Sequence, residues 1–412
     1  MRAIIISIGN ELLSGQTVDT NAAYISKALL EIGIPTISGY TLPDEITAIT
    51  ECLKQANNKA DIILLTGGLG PTDDDLTRQA FAEFLGVELQ LQPGLLETIE
   101  GFFKEHGVKM SDKNRIQAFL PRGTKALDND CGTAPGILYK NNEKIIAAMP
   151  GVPSEMKRMF ESQLLKELEK LIAGDVTVVK KLKCFGTGES NIAEKLGLLM
   201  QRNRNPLINC TVDYGIITLH IVAAAASRNQ AKEMIAKDEK LLNGLLGELI
   251  FGSDDQTLAE AVGRKLTQRG KTLAIAESCT GGLITKWITD IPGASKYLTH
   301  GWVTYSNEAK INQLGVKTEL IEQFGAVSEQ VASAMAKGAR EKAGTDFSIA
   351  VTGIAGPQGA SEQKPVGLVY IALDCAAGCQ VEGFTFARRD RDFIRTRAAQ
   401  TAINILRLKL SD

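Results

Sequence analysis

The chain has 412 residues, of which 44% are hydrophobic and 23% charged, and its formal net charge is −2. This length predicts two or three domains rather than one core, and the composition is typical of a globular protein. The near-zero charge excludes a strong field for attracting nucleic acid or a membrane surface. The seven cysteines form no CxxC pair, which indicates reduced thiols and not a disulfide framework.

The first apolar run, residues 2–8, is followed by Gly9, Asn10 and Glu11 and lacks a small-residue cleavage site, so it predicts a buried strand and not a signal peptide. No run approaches the roughly 20 apolar residues of a membrane span. We therefore expect a cytoplasmic protein that has no membrane partner.

Residues 1–172 alternate apolar runs with amphipathic segments. The predicted strands are residues 2–8, 34–40, 61–66 and 144–149, and the predicted helices are residues 21–32, 44–59, 76–85 and 154–171. Short apolar runs without polar alternation are typical of parallel strands covered on both faces. The pattern predicts an α/β layered domain.

Two glycine-rich segments, residues 9–15 and 65–72, follow the first and third predicted strands of this domain. Ligands bind at such carboxyl ends of parallel strands. The second segment continues into Asp73, Asp74 and Asp75, whose carboxylates could hold a hard cation. Alternatively, Asp74 or Asp75 simply caps the helix predicted from residue 76.

Residues 173–253 have a different order of predicted strands and helices, which indicates a small α+β module. Its predicted strands are residues 176–185, 207–212 and 216–225, its predicted helices are residues 189–201 and 227–246, and Tyr214-Gly215 is the predicted hairpin turn. The segment GTGE at residues 186–189 is acidic, unlike a basic GxxG loop that grips nucleic acid. We expect no direct nucleic-acid binding.

The third predicted domain, residues 254–412, again mixes helices and strands. The predicted helices include residues 257–268, 331–342 and 392–410, and the predicted strands include residues 271–276, 346–351, 367–373 and 380–387. Within it, AESCTGG at residues 276–282 places Ser278 where a buried strand turns into a helix. Unpaired N–H groups at the helix start could stabilise an oxyanion, and Gly281 and Gly282 would allow close approach of a substrate. The alternative is that Ser278 is only a helix N-cap.

A serine nucleophile needs a base, and His300 is the one histidine in this domain. Lysine can serve when burial lowers its pKa, and VTYSNEAK at residues 303–310 offers Lys310 together with Tyr305, which could relay or orient the proton. The alternative is a surface lysine on a helix.

Two further segments indicate binding. Residues 351–357 could present backbone N–H groups to an anion, or form an ordinary glycine-proline turn. Arginines at residues 388–397 suit phosphate, although the interleaved Asp390 and Asp392 fit a self-paired helix face equally well.

AESCTGG, VTYSNEAK, TGIAGP and KPVGLVYIA, in this order, resemble the C-terminal domain of the CinA family, over most of residues 255–412. The resemblance implies a deamidase that converts nicotinamide mononucleotide to nicotinic acid mononucleotide and ammonia without a cofactor. Ser278 would be the nucleophile, activated by Tyr305 and Lys310. The expected substrate-binding residues are Thr280, Gly281, Gly282, Thr352, Gly353, Gly356, Arg391 and Arg395.

IGNELLSGQTVDTN, TGGLGPTDDDLT and MPGVPSEM resemble the molybdopterin-binding-type fold that begins CinA proteins, over about residues 1–170. The resemblance implies an ADP-ribose pyrophosphatase that uses a divalent metal ion. The implied ligand-binding residues are Asn10, Glu11, Asp19, Asn21, Gly67 and Gly68, with Asp74 and Asp75 on the metal. The middle region resembles the KH-type module of the same family, which suits a scaffold or a homodimer contact.

Two other functions remain open. One is a non-catalytic adaptor in competence or recombination, and the other is an enzyme of molybdopterin synthesis. The second rests on shared fold alone, which is a weak basis for function.

Overall fold

The computed structural model describes residues 1–141, 144–170, 176–386 and 390–411. The chain forms two compact units, Met1–Val178 with Ala223–Glu233, and Val179–Val222 with Met234–Asp412. The predicted boundary at residues 172–173 and the predicted site residues Arg388 and Arg389 lie outside the described residues, and the three-domain division stays a prediction. No helix within the described ranges has the length and apolar character needed to cross a membrane.

The first unit is an α/β sandwich around a six-stranded sheet of order β2-β1-β3-β8-β7-β6. The strands of the unit are β1 (Ala3–Ile8), β2 (Thr36–Leu42), β3 (Ile62–Thr66), β4 (Leu89–Leu91), β5 (Phe119–Pro121), β6 (Lys125–Leu127), β7 (Gly136–Asn141) and β8 (Lys144–Met149). Strands β4 and β5 pair with each other in a separate two-stranded sheet. Its helices are α1 (Asn10–Leu13), α2 (Thr20–Glu31), α3 (Ile46–Asn57), α4 (Thr77–Leu85), α5 (Pro93–Glu105), α6 (Pro153–Met159) and α7 (Leu165–Glu169). Strands β2, β1, β3 and β8 are parallel, and β7 and β6 are antiparallel additions.

The central strands are apolar because both faces of the sheet are covered. Every residue of β1 is buried; Ile4 packs into the apolar cluster on one face and Ile5 into the cluster on the other. Each such side chain contributes about 1.5–3 kcal/mol on burial. The helix predicted at residues 154–171 is interrupted by a π-helical turn, Phe160–Leu164. The predicted α/β class is confirmed.

The middle of the chain forms a four-stranded sheet of order β10-β11-β9-β12, most of whose residues belong to the second unit. Its elements are β9 (Val176–Cys184), α8 (Glu189–Leu196), β10 (Leu207–Asp213), β11 (Ile216–Ala225), α9 (Arg228–Leu246) and β12 (Ile250–Ser253). Strands β10 and β11 form the predicted antiparallel hairpin. Its turn residues, Tyr214 and Gly215, have φ of 44° and 80°, as two-residue hairpin turns require.

A five-stranded sheet of order β14-β13-β15-β16-β17 follows. Its strands are β13 (Leu273–Glu277), β14 (Leu298–Val303), β15 (Phe347–Gly353), β16 (Leu368–Cys375) and β17 (Gly378–Thr385). The helices are α10 (Leu258–Arg269), α11 (Leu283–Thr289), α12 (Asn307–Leu314), α13 (Thr318–Phe324), α14 (Glu329–Ala343) and α15 (Arg391–Lys409). Because β14, β13 and β15 are parallel neighbours, their carboxyl ends, at Val303, Glu277 and Gly353, lie at one edge.

Candidate active site

The serine in AESCTGG lies just beyond β13, in a turn between strand and helix. Its N–H donates to the carbonyl of Val351 at 3.0 Å, and 8% of the residue is exposed. Helix α11 starts only at Leu283, with Gly282 as its N-cap and no side-chain cap. Ser278 is therefore not a helix cap, and the structural alternative for this residue is wrong.

Glu277, the residue before the serine, has a function that the sequence pattern did not indicate. Its fully buried carboxylate accepts hydrogen bonds from the N–H of Ile284 at 3.1 Å and from the N–H and hydroxyl of Thr285 at 2.8 and 2.7 Å. The N–H groups at the start of α11 are thus occupied, so the predicted oxyanion hole at the helix start is wrong. Within the described chain, the N–H groups of Cys279 and Thr280 donate to no backbone carbonyl. They directly follow the serine and are therefore the better candidates for binding an oxyanion.

Lys310 lies on α12, and its side chain turns inward and is 1% exposed. The amine nitrogen lies 3.0 Å from Ser278 Oγ, 2.8 Å from the carbonyl oxygen of Thr304 and 3.4 Å from that of Tyr305. Burial lowers the pKa of the Lys310 ammonium, because an amine loses the hydration that stabilises its charge. The surface-lysine alternative is wrong, and the predicted serine-lysine pair is in contact.

The backbone of Tyr305 lies beside this pair, but its phenol side chain points towards Arg391. The residue is 60% exposed, and its hydroxyl accepts a hydrogen bond from Arg391 Nη2 at 2.9 Å. In the described residues its phenol makes no hydrogen bond to Lys310 or Ser278, and only its backbone carbonyl faces the amine. A proton-relay role for Tyr305 stays a prediction.

The turn after the nucleophile is made possible by its glycines. Gly281 and Gly282 have φ of 61° and 92°, a conformation that costs other residues about 1–2 kcal/mol. Arg395 donates to the carbonyl of Thr280 at 2.8 Å, and its Nη2 would lie 3.3 Å from a Cβ at Gly281. The Thr280 hydroxyl is buried and has no partner among the described residues. This arrangement brings one predicted substrate-binding arginine onto the nucleophile turn.

The segment TGIAGP borders the same edge of the sheet. The Thr352 hydroxyl donates to the carbonyl of Ala326 at 2.8 Å, and Gly353 ends β15 opposite Val369. The Gly356 carbonyl accepts from Arg391 Nη1 at 2.6 Å. Arg391 thus joins this loop to the Tyr305 phenol.

Of the three described arginines of the predicted cluster, Arg391 and Arg395 face the site and not the neighbouring aspartates, whereas Arg397 donates to the carbonyl of Tyr214. Asp390 instead caps α15 by accepting from the N–H of Phe393. In the part of the chain that the structure describes, arginine ion pairs are formed by Arg158, Arg204 and Arg340. The self-paired helix face is wrong for Arg391 and Arg395.

Cys279 is adjacent to the nucleophile but is excluded from its chemistry. The residue is 5% exposed and packs into the main apolar cluster of the unit. Burial raises the pKa of its thiol to about 12. A neutral, packed thiol is a poor nucleophile.

In the first unit, a cavity of about 440 Å³ opens at the carboxyl ends of β1 and β3. Five predicted residues line it: Glu11, Gly67, Gly68, Asp74 and Asp75. Three others lie elsewhere. The Asp19 side chain caps α2, the Asn21 amide bonds Thr66 Oγ1 and the Gly151 carbonyl, and Asn10 is fixed through its backbone N–H to Asp44. The lining residues that were missed include the polar side chains of Asp44, Gln117, Thr133 and Glu155.

The aspartate run of the first unit stabilises a loop. Asp75 accepts from the N–H groups of Gly70 at 2.7 Å and Thr72 at 2.8 Å, so both of its oxygens are occupied, while Leu76 is the N-cap of α4. Direct helix capping by Asp74 or Asp75 is wrong. Among the described residues no three His, Cys, Asp or Glu side chains converge to hold a metal ion.

Three families match the chain: the probable molybdopterin binding domain at residues 4–170, the damage-inducible protein CinA KH domain at residues 179–252, and the CinA C-terminal domain at residues 255–410. A CinA-like protein of Geobacter sulfurreducens is 43% identical over 100% of this chain and 99% of its own. A CinA-like protein of Kosmotoga olearia is 41% identical, also over 100% and 99%. The crystal structure of the competence/damage inducible protein CihA from Agrobacterium tumefaciens is 42% identical over 38% of this chain and 94% of its own, with a TM-score of 0.37.

Proposed function

The chain belongs to the CinA family, and from that premise we propose that its C-terminal domain is a serine amidase that deamidates nicotinamide mononucleotide. The observation that supports the proposal most is the 3.0 Å approach of the buried Lys310 amine to Ser278 Oγ. A structural lysine would gain nothing from burial beside a hydroxyl without a carboxylate partner, because losing its hydration is costly. As a base, the same lysine benefits from the lowered pKa.

In the first step, neutral Lys310 accepts the hydroxyl proton while Ser278 Oγ attacks the carboxamide carbon. A neutral amine has two N–H groups and one lone pair. The carbonyls of Thr304 and Tyr305 accept from the two N–H groups, which directs the lone pair to the serine. The tetrahedral oxyanion accepts from the N–H groups of Cys279 and Thr280, and such donors supply several kcal/mol of transition-state stabilisation.

In the second step, the Lys310 ammonium returns its proton to the leaving nitrogen, and the C–N bond breaks to release ammonia. Lys310, neutral again, takes a proton from water as the hydroxide attacks the nicotinoyl ester on Ser278. The ester bond then breaks, the serine oxygen recovers the proton, and nicotinic acid mononucleotide leaves. No metal or other cofactor enters these steps.

The proposed substrate has an anionic end that the site can hold. Arg391 and Arg395 lie on the first turns of α15 and each retains N–H groups beyond those bonded to the protein. Guanidinium groups match phosphate oxygens in pairs. We assign the 5′-phosphate to these arginines, and the carboxamide to the turn between Ser278 and Gly282.

The test is ammonia release from nicotinamide mononucleotide by the full-length chain. Ser278→Ala and Lys310→Met are each expected to lower kcat by at least a thousandfold, as for other nucleophile-base pairs. Ser295→Ala and Lys317→Met change exposed residues of the same types and serve as matched controls that keep full activity. Turnover by Ser278→Ala at the wild-type rate, in protein with a native melting curve, would refute the assignment. A wild-type chain that releases no ammonia would instead favour the non-catalytic adaptor.

For the first unit we propose metal-dependent cleavage of ADP-ribose, because glycine loops and carboxylates share one cavity. Burial, with the neighbouring Glu11, Asp74 and Asp75, raises the pKa of the Asp44 carboxyl, which is expected where a cation is needed to offset negative charge. Hydrolysis of ADP-ribose with and without Mg²⁺ or Mn²⁺, in wild type and Asp74→Asn, tests this activity. If the wild type hydrolyses nothing yet binds ADP-ribose, this unit is a binding module.

A further inference from the structure

A second cavity, of about 830 Å³, lies within the second unit on the far side of helix α15. Its size falls within the usual range of small-molecule sites, about 300–1,000 Å³. Arg395 donates toward the nucleophile turn at Thr280, whereas Arg397 donates toward Tyr214 in the hairpin turn. Two residues turn a helix by about 200°, so the two arginines face opposite sides. The cavity is therefore separate from the proposed amidase site.

A cation without a counter-ion faces this cavity. The Arg397 guanidinium lies 4.9 Å from the ring centre of Phe185 and 5.9 Å from that of Phe386, and Nη1 donates to the Tyr214 carbonyl at 2.9 Å. In the described ranges no carboxylate forms an ion pair with it, and burial lowers its pKa. Desolvating a charge without a partner is unfavourable, and a bound anion would offset that cost.

A buried amide points into the same cavity. Asn404 is 7% exposed, and its Oδ1 accepts from Arg407 Nε at 2.9 Å. Its Nδ2 has no acceptor among the residues the structure describes, and it is directed at the loop before α8, where it would lie 3.8 Å from a Cβ at Gly186. The residue is buried but lines the cavity, so an amide hydrogen that finds no protein acceptor there is an open position for a ligand oxygen.

The GTGE segment at residues 186–189 forms the wall opposite Asn404. Helix α8 begins here with Gly188 as its N-cap and no side-chain cap, so the first N–H groups of the helix are open to an acceptor. The positive end of the helix adds to the attraction for an anion. The GTGE segment lacks the basic residues of a nucleic-acid-binding loop, but its open N–H groups suit a small anion.

The remaining walls combine aromatic residues with aliphatic ones. The aromatic residues are Tyr214, Phe384, Phe386 and Phe393, and the aliphatic residues are Val212, Ile217, Ile405 and Leu408. Flat aromatic surfaces favour a planar ring in the ligand. Glu189 and Glu382 lie at the exposed rim, where their charge opposes an extended polyanion. These features select a compact ligand that has one ring and one anionic group.

We propose that this cavity is a second ligand site that binds an aromatic monophosphate of mononucleotide size. The anionic group lies between Arg397 and the start of α8, Asn404 donates to a ligand oxygen, and the ring packs on the phenylalanines. The proposal does not depend on the amidase activity.

The test is hydrogen-exchange mass spectrometry of the full-length chain with adenosine monophosphate, adenosine or ribose 5-phosphate as probes. Adenosine monophosphate is expected to slow hydrogen exchange at the amides of residues 185–191 and 213–217. Adenosine, which lacks the phosphate, and ribose 5-phosphate, which lacks the base, are each expected to slow exchange there at least tenfold less at equal concentration. These two segments line this cavity and contain no residue of the proposed amidase site, so binding at Ser278 is distinguished from binding here.

Asn404→Asp keeps the side-chain size but adds negative charge, and it is expected to weaken this protection at least tenfold. Asn243→Asp, the same change on an exposed face of α9, is the matched control that leaves protection unchanged. No protection at millimolar probe, or equal protection in Asn404→Asp, overturns the proposal. Protection that grows with protein concentration without a probe would also overturn it, since a second copy would then fill the cavity.

Discussion

Lys310 reaches Ser278 from a different strand end, and the two side chains meet because β13 and β14 are parallel neighbours. The amine-to-hydroxyl distance is 3.0 Å, and the lysine is 1% exposed. Both ends of the pair are fixed by backbone contacts, the serine through its N–H to Val351 and the amine through the Thr304 carbonyl. The pair is therefore preorganised, which favours proton transfer from the hydroxyl to a neutral amine.

The first prediction concerns pH. Burial lowers the pKa of Lys310, and only the neutral amine can accept the serine proton. As pH rises through the lowered pKa, the neutral form grows, so kcat/KM should rise to a plateau with a midpoint below the ordinary lysine pKa of about 10.4. Initial rates between pH 6 and pH 10 measure this rise in kcat/KM, and circular dichroism at each pH checks that the chain stays folded. A rate that falls or stays flat over this range contradicts the prediction.

The second prediction concerns Glu277, which we interpret as a positioning residue. Glu277→Gln keeps the size but replaces one acceptor oxygen by a donor that faces the N–H of Ile284 or Thr285. We expect kcat to fall at least tenfold with KM changed less than threefold, since a displaced nucleophile loses orientation more than binding. The unfolding free energy should also fall, by about 1–3 kcal/mol.

The matched control for that variant is Glu260→Gln. The Glu260 carboxylate accepts from the N–H of Thr257 in the capping box of α10, outside the proposed site. This variant should lose stability, by about 0.5–2 kcal/mol, and keep kcat. If both variants lose stability and neither loses kcat, Glu277 has only a structural role.

The sequence predicted the nucleophile and the base because each belongs to a short motif that follows an apolar strand. It could not predict that Lys310 is buried, since burial depends on how α12 packs back over a strand end 32 residues away. The hydrogen bonds from the start of α11 to Glu277 were missed for a related reason. The carboxylate reaches Thr285 only because Gly281 and Gly282 adopt left-handed conformations. In each case the contact is set by tertiary structure and not by local pattern.

The least predictable part of the fold was residues 86–141, which contain α5, the two-stranded sheet of β4 and β5, and the antiparallel strands β6 and β7. Strands β4, β5 and β6 have three residues each, too few to display an alternating pattern. The pairing of β4 with β5 depends on contacts distant in sequence, such as Leu89 opposite Pro121. The parallel strands β1, β3 and β8 were predicted because their entire length is buried.

The third prediction tests whether the thiol of Cys279 or the hydroxyl of Ser278 is the nucleophile. Cys279 is packed and neutral, with its pKa raised to about 12, whereas Cys131 is exposed. Iodoacetamide at pH 7.5 should modify Cys131 first and leave ammonia release unchanged, and Cys279→Ala should retain most activity at a stability cost of about 1 kcal/mol. Peptide mapping of the alkylated chain locates the label. Inactivation that follows the labelling of Cys279 would indicate that the thiol takes part in catalysis.

The last prediction concerns Arg78, which holds the TGGLGPTDDD loop from beneath. It is 1% exposed, and its guanidinium donates to the carbonyls of Leu69 and Gly70, both at 2.6 Å. Burial lowers its pKa to about 10, yet it stays charged at neutral pH. Arg78→Met keeps much of the volume but leaves two buried carbonyls without donors, at about 1–3 kcal/mol each. We therefore expect a lower melting temperature for the first unit and at least tenfold weaker ADP-ribose binding, measured by calorimetry, with ammonia release from nicotinamide mononucleotide unchanged.

The control for loss of charge is Arg115→Met, which changes an exposed arginine of the same unit. Unchanged ADP-ribose affinity in a folded Arg78→Met chain would mean that the loop keeps its shape without the guanidinium.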